Sequence, residues 1–136
     1  MSWKIKLILS CIVFFQSIVL SNSFLDGHET LDIEKALKKY GVSTFKPELF
    51  KNGSLETRAK MAVSIIQNKT YLGKKPEAIT EELGSSTVFF WSDSIPAYVI
   101  EESTQKGQHP WQLVFLLNQK GTVGEVRILR NRLLGK

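Results

Sequence analysis

The chain has 136 residues, 43% of them hydrophobic and 23% charged, with 18 Lys and Arg against 13 Asp and Glu. That length suits one domain with a single core, and the composition is that of a globular chain rather than a disordered one. Part of the net charge of +5 sits at Lys4 and Lys6 in the leader, so what remains is too mild an excess to point to nucleic acid.

Met1 to Lys6 is short and positive. Leu7 to Leu20 is apolar apart from Ser10, Gln16 and Ser17, and Ser21-Asn22-Ser23 then puts a small residue at each end of a triplet. This is the three-part layout of a secretory signal, with cleavage expected after Ser23, or else after Ser21. The apolar run is shorter than the ~20 residues a spanning helix uses; an uncleaved anchor is the alternative. Cys11 is the sole cysteine and lies inside the leader, with too few apolar residues before it for a lipidation signal. The exported part is therefore expected to lack disulfides and to rely on packing. The periplasm or cell envelope is the expected location.

Residues 24–54 read as an extension with one helix. Leu31, Ile33, Ala36, Leu37 and Tyr40 form an apolar stripe, Thr30 or Asp32 can cap its start, and Gly41 stands where a helix stops. Val42 to Ser54, with Pro47 and Asn52-Gly53-Ser54, reads as a loop. A second helix is predicted from Glu56 to Asn68, with Ala59, Ala62, Val63 and Ile66 on one face. A third starts near Pro76, carries Ile79 and Leu83 one turn apart and ends at Gly84.

Beyond Gly84 the pattern turns to strands. Thr87 to Trp91 is β-branched or aromatic, and Ala97 to Ile100 follows Pro96. Trp111, Leu113, Phe115 and Leu117 share parity, Asn118-Gln119-Lys120-Gly121 reads as a hairpin loop, and Thr122 to Leu129 as the returning strand. In that strand Val126 and Ile128 face one way and Glu125 and Arg127 the other. Helices first and an antiparallel sheet after them predict an α+β fold, a two-helix hairpin plus a leading helix packed on three or four strands. The expected division is a leader at 1–23, an extension at 24–54 and one domain at 55–136.

Leu72-Gly73-Lys74, then Ile79, then Leu83-Gly84, followed by aromatic-rich strands, resembles the SmpA/OmlA type of small outer-membrane-assembly lipoprotein, the BamE-like domain. The resemblance covers about residues 56–130. It implies a helical hairpin on a small antiparallel sheet, with Gly73, Ile79, Leu83 and Gly84 in structural roles: bend, packing and helix stop. The family's lipidated cysteine directly after the signal has no counterpart here, and Ser85-Ser86 stands where its proline is usual. The same fold serves other secreted binders, so shape and role are separate questions.

Catalytic patterns are missing. His28, in Asp26-Gly27-His28-Glu29, lacks a second histidine one turn on and reads as part of a polar N-terminal stretch. His109 has no serine or cysteine motif to serve. Glu81-Glu82 and Glu101-Glu102 are adjacent residues, which in a helix or strand do not face each other. Neither metal nor cofactor is expected.

The aromatics Phe89, Phe90, Trp91, Tyr98, Trp111 and Phe115 exceed what one buried sheet face needs. Either the 24–54 extension covers the second face, or an aromatic patch there meets a partner. The expected contact residues are Trp91, Tyr98 and Trp111, rimmed by Arg127 and Arg130. The function expected is that of a non-enzymatic binding or assembly module of the bacterial envelope, its partner another envelope protein. Weak contact with an anionic membrane surface is a further expectation, from the basic C-terminal run. The alternative is a secreted inhibitor of an extracytoplasmic enzyme, presenting Glu102 to Pro110.

Overall fold

A computed structural model describes residues 27–131. The leader, Cys11, Arg132 and Lys136 lie outside the described residues. In chain order the elements are β1 (His28–Leu31), α1 (Ile33–Tyr40), α2 (Pro47–Asn52), α3 (Leu55–Gln67), α4 (Pro76–Leu83), β2 (Ala97–Glu101), β3 (Trp111–Leu117) and β4 (Val123–Asn131). The fold is α+β. The four strands form one antiparallel sheet in the order β1-β4-β3-β2.

Each helix boundary has a local cause. The Asp32 carboxylate accepts the Lys35 N–H and opens α1, and Gly41 at φ 76° closes it. The Ser54 hydroxyl accepts the Thr57 N–H and opens α3. Pro76 stands in the first turn of α4, and Gly84 at φ 86° ends it, with its N–H on the Thr80 carbonyl. Ile79 and Leu83 are buried as their spacing requires. Gly73, at φ 78°, donates its N–H to the Val123 carbonyl, tying the α3–α4 bend to the start of β4.

The helices cover one sheet face. Tyr98, Ile100, Trp111, Leu113, Phe115 and Ile128 point into them and meet Ala59, Ala62, Val63 and Ile65 of α3. Within this core five aromatic rings close a circuit: Phe45 to Phe50, Tyr98, Phe115, Tyr71 and back to Phe45. All five contacts are edge-on, with centroids 5.5–6.4 Å apart.

The structure revises three sequence expectations. The 24–54 stretch supplies more than one helix: β1 is a strand of the sheet and contains His28, and Ala36 and Phe50 are fully buried in the core. The span Val42 to Ser54 contains α2, because Pro47 presets its first turn and Phe50 gains the core. Thr87 to Trp91 does not form a strand. It belongs to the α4–β2 connection, where Thr87 caps the edge of β2 and Trp91, at φ 60°, turns the chain back on itself.

Candidate functional site

The second sheet face is covered by the α4–β2 connection and not by the N-terminal extension. Val88, Phe90 and Ile95 of that connection pack with Ala97, Val114 and Leu129 of the sheet. The loop starts at the β2 edge. There the Ser86 hydroxyl accepts the Ala97 N–H at 3.1 Å, the Thr87 N–H reaches the Ala97 carbonyl at 3.0 Å, and the Thr87 hydroxyl accepts the Val99 N–H at 2.9 Å. It then crosses the sheet as far as β1, where the Phe90 ring lies 4.9 Å from the His28 ring.

At its far end the loop reverses in a three-residue turn. The Ser92 N–H bonds the Phe90 carbonyl at 2.6 Å, and Trp91 sits between them at φ 60°, a region that a bulky side chain rarely occupies. The turn sinks Phe90 to 1% exposure and leaves Phe89 at 62% and Trp91 at 67%. A buried anchor thus holds two large exposed rings at the tip. Strained backbone of this kind persists where the surroundings fix it, and it concentrates at sites of function.

Of the residues expected to meet a partner, only Trp91 lies on this surface. Tyr98 is a core residue, 1% exposed, because its strand parity points it at the helices. Its hydroxyl donates to the Gly84 carbonyl at 2.7 Å, and burial pushes its pKa up to about 12, with Arg58 partly offsetting. Trp111 faces the same way and is 6% exposed. Two cations roof it: Arg130, 4.4 Å from its ring centroid, and Lys39 at 5.7 Å. Arg130 is in turn paired with Glu29, and Arg127 with Glu125 across the other face. Both arginines are therefore tied into internal pairs, and they do not rim the aromatic tip as one patch. Phe89 belongs to the tip although its sequence signal was weak. The turn around Trp91 places it there, since Phe90 goes inward and leaves Phe89 and Trp91 exposed on either side of it.

The remaining polar groups have local duties. Glu82 accepts the Tyr71 hydroxyl at 2.6 Å, and Glu101 pairs with Lys39 at 3.1 Å. His109 is exposed in the β2–β3 loop. Among the described residues no group of three or more His, Cys, Asp or Glu side chains could hold a metal, and no helix is long and apolar enough to cross a membrane. A shallow cleft of about 590 Å³ lies between the Val42–Phe45 loop and the end of α3 at Ser64, Gln67 and Asn68; no charged side chain lines it.

No protein-family model, curated protein or solved structure matches the chain.

Proposed function

We propose that this chain is a non-enzymatic binding module, exported to the bacterial envelope, that meets another protein through the tip of the α4–β2 connection. The observation that carries this reading is the arrangement of three consecutive aromatics. Phe90 is sunk at 1% exposure and holds Phe89 and Trp91 in the open at 62% and 67%. Large rings exposed on an anchored support are the residue type that dominates binding energy when a partner pocket desolvates them, and their own disorder is small. The envelope address rests on the three-part leader and on the resemblance of Leu72 to Gly84 to assembly lipoproteins.

The test removes the rings without disturbing the turn. In the double variant Phe89→Ser, Trp91→Asn, asparagine tolerates the left-handed backbone at position 91. Tagged full chain recovered from its own cells is expected to lose its co-purifying protein in this variant while keeping the wild-type thermal midpoint. Undiminished recovery of that protein would overturn the reading.

A further inference from the structure

The two edges of the sheet are treated differently. At β2 the outward backbone groups of Ala97 and Val99 are occupied. Ala97 is closed by Ser86 and Thr87, the Val99 N–H by the Thr87 hydroxyl, and the Val99 carbonyl is approached by Arg58 Nη1 at 3.4 Å. At β1, among the described residues, pairing exists on one side only, to β4.

The ladder fixes which groups β1 leaves outward. The Phe115 N–H bonds the Pro96 carbonyl, so Phe115, Leu113 and Trp111 turn their backbone groups toward β2, and Gln112 and Val114 turn theirs toward β4. Carrying the alternation through the pairs Gln112–Leu129 and Glu29–Arg130 directs Glu29 and Leu31 at β4. The N–H and C=O groups of His28 and Thr30 then point away from the sheet. Natural sheets guard such an edge with charge. Here Glu29, the one charged residue of β1, is turned onto Arg130 at 2.6 Å. The buried anchor of the aromatic tip, Phe90, also reaches this edge, against His28.

We infer that β1 is a docking edge for an extended segment of a protein partner, which adds as a fifth strand. Its backbone bonds His28 and Thr30, and apolar side chains at alternate positions on the outer face meet Phe89 and Trp91. The proposal deepens the binding-module reading and rests on it for the aromatic half of the contact. A partner strand fits better than a second copy. In the antiparallel self-pairing that uses His28 and Thr30 of both copies, the outer face of the added strand carries only His28 and Thr30, so a second copy offers no apolar side chain to Phe89 and Trp91.

The discriminating variant is Thr30→Pro. It deletes one outward N–H and leaves the β4 ladder intact, which an edge strand tolerates. Thr30→Val keeps that N–H. The probe is a displayed library of random linear peptides selected on the full chain. Enriched peptides are expected to alternate apolar residues and to slow amide exchange at His28 and Thr30 in the wild-type protein, a readout that does not depend on any variant folding. Thr30→Pro is expected to weaken them by about tenfold or more, with Thr30→Val close to wild type. Failure to enrich any peptide, or peptides that bind Thr30→Pro as well as wild type and leave both amides unprotected, would overturn the edge. If those same peptides are lost in the Phe89→Ser, Trp91→Asn double variant, the binding module survives without it. Peptides lost in Thr30→Pro but indifferent to the double variant would overturn the aromatic site and uphold the edge. A dimer that Thr30→Pro dissociates in sedimentation would overturn the choice of occupant.

Discussion

The Arg130 guanidinium lies 4.4 Å from the centroid of the Trp111 ring and extends to Glu29, with Nη2 2.6 Å from Oε2. Lys39 stands 5.7 Å from the same ring and pairs with Glu101. Trp111 of β3 is thereby the meeting point of β1, α1, β2 and β4, and the N-terminal segment is fastened to the sheet there. Arg130→Ala removes the ring contact and the ion pair together and is expected to cost about 1–2 kcal/mol. Urea unfolding measures it, and an unchanged midpoint would refute the fastening.

The two neighbours Phe89 and Phe90 should respond oppositely to truncation. Phe90 is 1% exposed between Val114 and Leu129, so Phe90→Ala is expected to destabilise by about 3–5 kcal/mol. Phe89 is 62% exposed, and Phe89→Ala should stay within about 0.5 kcal/mol of wild type. Equal losses in thermal unfolding would contradict the anchor-and-tip arrangement.

All three tyrosines of the chain are held neutral. Burial raises Tyr98 to about 12. Burial and then Glu82 raise Tyr71, and burial and then Glu101 raise Tyr40. The folded values exceed the unfolded value of about 10. Their stabilisation is therefore complete below about pH 10 and is lost as pH rises toward and through 12. The urea midpoint is expected to fall above about pH 10, with the folded chain showing little tyrosinate absorbance until the pH approaches 12. A native tyrosinate signal half-developed near pH 10 would contradict this.

At Val99 the closed edge of β2 depends on the Thr87 hydroxyl. Thr87→Val takes the acceptor from the Val99 N–H and is expected to cost about 1 kcal/mol. Amide exchange at Val99 should accelerate while exchange at Leu113, fully buried in the adjacent strand, keeps its wild-type rate. Equal protection of Val99 in both proteins would show that the cap does not close the edge.

The sequence by itself determined what depends on near neighbours. The stripe from Ile33 to Tyr40, the stops at Gly41 and Gly84, Pro76 at a helix start and the β3–β4 hairpin are all settled within a few residues. So was the α+β class, since it follows from the order of periodicities. The tertiary structure alone decided the long-range pairings. Four residues of β1 carry almost no periodic signal, and they become a strand because β4 extends to Asn131 to receive them. The run Thr87 to Trp91 has high strand propensity, yet the edge of β2 claims Ser86 and Thr87 as caps, and the hydrophobic pocket over Val114 and Leu129 claims Phe90. Which aromatics face outward followed from the same competition. Tyr98 and Trp111 went to the helix-covered face by strand parity, and Phe89 and Trp91 were left in solvent when Phe90 turned in, because a chain at one position can bury only one side of itself.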